Sequence, residues 1–311
     1  VILVAGGTGQ LGRDVVGRLV ARGLPVRVLT RDVVLGRTAL GPLADELELV
    51  AGDVRDLATL TPAMHGVDTV VAAVQGFGGR EAGGIAAVDR DGNRNLVQAA
   101  AAAGVGRFVL LSIHDASMQD SLALGRAKAA VEADLHATAM TPLVVRPTAY
   151  METWAAVIGS PILASGRARV FGGGRNPINF VSVADVAAVV EELAANVDGA
   201  GNPGRTIEVV GPEDLSFEDV VARFSAALGR PVPASHVPLP MLRAMAVALR
   251  PFKPILAAQV AAAAVLDTTD RTARDAVGGP ATFHRGTTTF ETVIHGFVAA
   301  SRSATRAPAG A

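Results

Sequence analysis

Short runs of β-branched residues and leucine alternate with longer alanine-rich stretches over the first half of the chain. Residues 1–5 (VILVA) are continuously apolar, as a parallel strand buried on both faces should be. Residues 11–22 place Leu11, Val15, Leu19 and Val20 on one side of a helix that Gly23 ends. Further strands are predicted at 26–30, 47–51, 68–74, 107–112 and 142–146. Helices are predicted at 56–65, with Asp56 as cap, at 85–103, stopped by Gly104, and at 121–138. Strands separated by helices imply right-handed crossovers and a doubly wound parallel sheet, an α/β fold of the Rossmann type.

After Pro147 the pattern loosens. Helices are expected at 151–165, 216–228, 239–250 and 254–266, with Pro251 separating the last two, and strands at 168–171 and 206–210. Ser182-Val-Ala-Asp185 has the form of a capping box for a helix to about Asn196. The division expected is a nucleotide-binding domain over 1–150, a small C-terminal α/β substrate lobe over 151–300 with segments returning to the core, and a small, polar, disordered tail over 301–311. The glycine-rich stretch 76–84 (GFGGREAGG) follows the fourth strand, at the carboxyl edge where open α/β sheets bind ligands. It reads equally as a flap or an ordinary surface loop.

Composition narrows the class. Half of the 311 residues are apolar, enough for a sizeable core, and the formal net charge is only −1. Such a balance gives no electrostatic footprint for nucleic acid or an anionic membrane. There is no cysteine, which removes disulfides, thiolate metal sites and cysteine nucleophiles. The six histidines are scattered without ligand spacing, so no metal is expected. No targeting segment is visible, which suits a cytoplasmic protein; the missing initiator Met suggests that residues precede Val1. A homodimer is compatible with the sequence, which does not read out oligomeric state.

The chemistry begins at Gly6-Gly7-Thr8-Gly9-Gln10-Leu11-Gly12, directly after a strand and opening a helix. Gly6 allows the tight turn, Gly9 removes a Cβ where a pyrophosphate approaches, and Gly12 lets helix pack on strand. The helix amino end then offers free N–H groups to the phosphates. Arg31 lies 19 residues past Gly12, where an adenosine ribose is read. A guanidinium there suits a 2′-phosphate, with Thr30 and Arg37 in support, so NADP(H) is the expected cofactor. The competing reading has Asp32 hold a ribose hydroxyl. Asp53 and Val54, after the third strand, are placed to bracket adenine.

These residues, with two later segments, resemble the short-chain dehydrogenase/reductase superfamily, and most of all its atypical, NmrA-like branch. The segment DRDGNRNLVQAAAAAGVGRFVLLS (89–112) resembles that family's helix and strand before the active site. Val144-Val-Arg-Pro-Thr148 with Met151-Glu-Thr-Trp154, and Phe180-Val-Ser-Val-Ala-Asp185, resemble its later segments. The likeness covers about residues 1–230 and implies an NADP(H)-dependent fold with strand order 3-2-1-4-5-6. It matches Ser112 and Lys128 to the family's active-site Ser and Lys, but the Tyr position holds Leu124, which can neither give nor take a proton.

Lys128, the only lysine in the first 252 residues, is then expected to bond the nicotinamide ribose and add positive potential. Ser112 can bond a substrate oxygen. His114, two residues on, can supply the proton that the missing Tyr cannot. Tyr150 and Trp154, the only tyrosine and tryptophan, can form an aromatic wall for a flat substrate or simply pack in the core. Without a strong built-in acid, the favoured reaction is NADPH-dependent reduction of an activated small molecule: a quinone, enone, iminium ion or similar aromatic or polyketide-like compound. The alternatives are a non-catalytic NADP(H)-sensing regulator and a non-redox isomerase or cyclase.

Overall fold

The computed structural model describes residues 1–76, 84–196, 204–273 and 282–306. The first half of the chain runs β1 (Ile2–Ala5), α1 (Gln10–Ala21), β2 (Val26–Thr30), α2 (Val33–Leu40), β3 (Glu48–Ala51), α3 (Leu57–Ala63) and β4 (Thr69–Ala72). A π-helical segment, Ile85–Gly92, leads into α4 (Asn93–Ala102), followed by β5 (Arg107–Leu111), α5 (Ala123–His136) and β6 (Thr141–Pro147). Then come β7 (Ala149–Tyr150), α6 (Met151–Ser165), β8 (Ala168–Phe171), β9 (Ile178–Val181), α7 (Val183–Ala195), β10 (Arg205–Val210) and β11 (Asp214–Leu215). The last elements are α8 (Phe217–Leu228), β12 (Ala234–Val237), α9 (Leu239–Leu249), α10 (Pro254–Leu266), β13 (Thr282–Arg285) and α11 (Phe290–Arg306).

The central sheet has eight parallel strands in the order β13-β10-β6-β5-β4-β1-β2-β3. The expected order 3-2-1-4-5-6 is its larger part; β10 and β13 extend it beyond β6. Successive side chains of a strand face opposite sides, and the sheet shows it plainly. Val4, Val28, Val71, Val109 and Val145 join one apolar cluster with Val15, Val16 and Leu19 of α1 and Val186 and Val190 of α7. Leu3, Leu29, Val70, Phe108, Leu110 and Val144 join a second with Leu60 of α3, Leu96 of α4, and Val131 and Leu135 of α5. A third cluster, from α6, β8, β9, α8 and α11, forms a smaller lobe.

Several local expectations change. The predicted helix at 85–103 is two segments, because the π turns add a residue per turn before Asn93; the Asn93 amide donates to the Val88 and Asp89 carbonyls there, each at 3.1 Å. Ser182 caps α7 by accepting from the Asp185 amide at 3.0 Å, but the Asp185 carboxylate turns to Thr288 instead of closing a box. Ser216 and Asp219 do form a reciprocal box on α8. Residues 301–306, expected as disordered tail, continue α11; 307–311 lie outside the described residues. No helix among the described residues is long and apolar enough to cross a membrane.

Candidate active site

The order of strands reverses between β1 and β4, and the β1–α1 turn lies at the carboxyl end of that junction, where a crevice opens in such sheets. Gly6 has φ 88°, and a Cβ there would meet the Ala73 oxygen at 2.6 Å. A Cβ on Gly12 would stand 2.1 Å from the Gly6 oxygen. Both glycines are therefore demanded by the fold itself. Gly9 differs: it is exposed, extended, and a Cβ would meet only the Gly6 oxygen at 3.2 Å. Its small size leaves a cradle open above the helix. No side chain caps α1 and no acid lies in its first turn, so the amides of Gln10, Leu11 and Gly12 keep their free N–H groups and unopposed dipole; Thr8 is half-buried beside them. A diphosphate fits this cradle.

At the end of β2, Arg31 is exposed and close enough to Asp53 to help hold its carboxyl below the usual range. Asp32 is committed elsewhere. Its carboxylate accepts from the Val34 and Leu35 amides at 2.8 and 3.0 Å, capping α2, a helix the sequence pattern did not reveal. One carboxylate oxygen of Asp32, the group of the competing ribose reading, is thus engaged in capping α2. Arg37 pairs with Asp45 at 2.5 Å. Asp53 is bonded chiefly by Arg55, which lowers its pKa, and its amide is held by Thr59 at 2.9 Å. Val54 is buried in the second cluster under Gly92. Gly76, at the start of the glycine-rich stretch, packs against Gly84 at its end, so the two ends meet; residues 77–83 lie outside the described residues.

Lys128 is 2% exposed on α5. Its Nζ lies 3.4 Å from Asp89 Oδ1 and 3.5 Å from the Val74 carbonyl. Asp89, fully buried on the π segment, also accepts from the Gly76 amide at 3.0 Å. Burial pushes the Asp89 carboxyl up, against the pull of Lys128 and that amide. Its Oδ1 is enclosed and faces the Lys128 ammonium across the ion pair. Leu124, one turn before Lys128 on the same face, is buried.

Ser112 does not stand free. Its hydroxyl donates to Glu132, one turn after Lys128. Arg146 on β6 spans Glu132, with Nε and Nη2 at 3.0 and 2.5 Å, and Glu208 on β10, with Nη1 at 3.2 Å. Glu208 in turn bonds His114 Nδ1 at 2.7 Å, and His114 Nε2 lies 3.3 Å from Asp115. Burial alone would lower the imidazole. The bond and charge of Glu208, helped by Asp115 and opposed by Arg271, outweigh it, and the net value stands above the ordinary 6.5. Asp115 is the one non-glycine among the described residues in the left-handed region, at φ 57°, a strained turn of the kind that gathers at functional sites.

Tyr150 packs against the sheet's first cluster, and burial, with the Glu152 charge, raises its phenol far above the usual range. Trp154 instead stacks in the lobe, 4.8 Å from Phe217 and 6.4 Å from Phe171. The two rings thus pack in different clusters and do not share one wall. Asp89, Glu132, Arg146 and Glu208 were not singled out from sequence. For Arg146 and Glu208 a signal existed: a charge inside a run of strand residues (LVVRP, TIEVV) breaks the continuous apolar pattern of a buried parallel strand.

The glycine cradle at the switch point of a doubly wound parallel sheet defines a dinucleotide-binding fold of the Rossmann type. The chain belongs to the NmrA-like family, whose model matches residues 1–269. It is 33% identical over 237 residues to (4-alkanoyl-5-oxo-2,5-dihydrofuran-3-yl)methyl phosphate reductase of Streptomyces griseus, covering 74% of this chain and 75% of that one. It is 29% identical over 232 residues to an NAD(P)H azoreductase of Xenophilus azovorans, with the same shares covered. Among solved structures, an NADPH-dependent quinone oxidoreductase from Escherichia coli superposes with TM-score 0.69 at 21% identity, over 96% of this chain and 100% of that one. These relatives are NAD(P)H-dependent or named reductases, and the fold is theirs.

Proposed function

We propose that the protein is an NADP(H)-dependent reductase of a small molecule whose acceptor carbon or nitrogen is already activated, such as an enone, a quinone or an azo compound. The observation that carries this reading is the replacement of the family's acid by Leu124 together with a His114–Glu208 pair at the same sheet edge. NADPH, when bound, supplies the hydride. Gly9 and the first amides of α1 hold the diphosphate, Arg31 the 2′-phosphate, and Asp53 and Val54 flank the adenine. Lys128, fixed by Asp89, bonds the ribose and lends positive potential where the substrate gains charge.

Glu208 bonds Nδ1, fixes the ring's orientation and, with Asp115, raises the imidazole pKa; Nε2, which lies 3.3 Å from Asp115, is the nitrogen assigned to the substrate. His114 then donates the proton that completes reduction. Tyr150 is too weak an acid to do so. An imidazolium is a modest donor, which favours acceptors that stabilise the added electrons themselves. The Streptomyces relative's named substrate carries a ring C=C with both a ketone and a lactone carbonyl on one of its carbons, an acceptor of this kind.

The test is loss of NADPH absorbance in the near ultraviolet against enones, quinones, azo dyes and simple ketones. Turnover of the activated compounds, abolished in His114→Gln, is expected. Rapid reduction of simple ketones with the activated panel ignored would refute the reading. One observation favours a non-catalytic NADP(H) sensor instead: Ser112 and Lys128 both bond buried carboxylates. Tight NADPH binding without turnover of any panel member is its signature.

A further inference from the structure

The helical hairpin α9–α10 carries a surface that the reductase reading does not use. Among all side chains of α9 only Arg243 is polar, and among those of α10 only Gln259. Helices of that composition are normally buried on every side. Here Leu242, Val260 and Ala264 form a small cluster between them and against Phe171 and Val237, and the opposite side is open. Met241, Met245, Val247 and Leu256 are 49, 37, 75 and 41% exposed, and Phe252, in the turn, 83%. The turn is ordered: the Phe252 and Lys253 amides both donate to the Leu249 carbonyl, at 3.1 and 2.7 Å.

Charge is distributed to match. From Val220 to Leu266 there is no Asp or Glu, while the stretch holds Arg223, Arg230, Arg243, Arg250 and Lys253. Arg223 is neutralised by Glu213 at the lobe, but Arg243, Arg250 and Lys253 are exposed around the apolar tip. At 3.6 residues per turn, Arg243, Val247 and Arg250 line one margin of α9's open face, Met241 and Met245 the other, with Ala244 and Ala248 between. The carboxylates that contact the hairpin's base are engaged: Asp267 accepts from the Gly173 and Gly174 amides, at 2.8 and 2.7 Å, and Glu218 pairs with Arg175 and His236.

We propose that this hairpin is a peripheral docking site for an anionic lipid surface. Phe252, Val247 and the methionines enter the headgroup boundary, and Arg243, Arg250 and Lys253 meet the lipid phosphates. Helices of 11 and 13 residues are too short to span a bilayer, so the hairpin lies on it. A second copy of the chain is a poor occupant, since a two-fold contact would bring these cations against themselves with no acid in the stretch to meet them. Nucleic acid would leave the apolar tip unsatisfied. The near-neutral net charge hides the site because the compensating acids lie elsewhere in the chain. The inference stands apart from the reductase reading.

The full chain is tested by co-sedimentation with phosphatidylcholine vesicles, with and without phosphatidylglycerol. Binding is expected only with the anionic lipid and weakens as salt rises. Arg250→Gln with Lys253→Gln should lower the partition coefficient about 25-fold, at about fivefold per charge, and Phe252→Ser about tenfold. All three side chains are exposed, so thermal melting should be unchanged. Equal partition to both vesicle types, or binding untouched by these substitutions, overturns the proposal. So does binding of polyglutamate without binding of vesicles, or a solution dimer that Phe252→Ser turns into monomer.

Discussion

Gly9 and Gly12 belong to one motif but answer to different masters, and alanine at each separates them. At Gly9 the backbone has φ −77° and ψ 173°, which any residue adopts, and the new methyl meets only the Gly6 oxygen at 3.2 Å. Alanine is a poorer N-cap than glycine, so the fold should lose about 1 kcal/mol or less, a fall in Tm of about 2–4 °C. The methyl does, however, fill the cradle before the free amides of α1. Each charge-assisted bond to phosphate lost this way is worth about 1.5–3 kcal/mol, so NADPH affinity should fall about 10- to 100-fold. At Gly12 the methyl would stand 2.1 Å from one backbone oxygen and 2.7 Å from the Gly6 carbonyl carbon. Both neighbours are main chain, so α1 must lift from the turn, at a cost of about 3 kcal/mol and a Tm fall of about 6–12 °C without any ligand. Fluorescence titration with NADPH and ligand-free thermal melts read the two effects separately. A Gly9→Ala protein that titrates like the parent, or a Gly12→Ala protein that melts like it, would refute this division.

Arg31→Ala should weaken NADPH binding about tenfold while leaving NADH unchanged, since only the 2′-phosphate meets the guanidinium; calorimetry with both nucleotides decides, and equal losses would remove the assigned role. His114 has a folded pKa above its unfolded 6.5, so its stabilising contribution is complete below about pH 6.5 and is lost as pH rises through the folded value. Activity should decline over the same alkaline limb, and Glu208→Gln should move that limb to lower pH; a pH–rate profile unmoved by Glu208→Gln argues against the pair. Lys128→Met leaves the buried Asp89 carboxylate without its cation and should cost about 3–5 kcal/mol in urea unfolding, most of it recovered in Lys128→Met/Asp89→Asn. Strictly additive single effects would mean that the two groups do not interact.

The chain's local patterns were enough to determine the sheet's first six strands and the glycine turn between β1 and α1. Those features are written at short range: a buried parallel strand is a continuous apolar run, and a phosphate cradle is three glycines at fixed spacing between strand and helix. The resemblance that sets Leu124 at the position of the family's acid is likewise read one residue at a time. What tertiary structure alone decided is which charges meet. Ser112 and Glu132 are separated by 20 positions, and His114 and Glu208 by 94, yet each pair is bonded and buried. The sheet brings β5, β6 and β10 side by side, and only that adjacency makes Arg146 a bridge between two carboxylates. Likewise Asp32 could hold a ribose by its position in sequence; the first turn of α2 engages one of its oxygens as a cap. A buried charge must find its partner or lose its charge, and no local pattern records which distant strand supplies it.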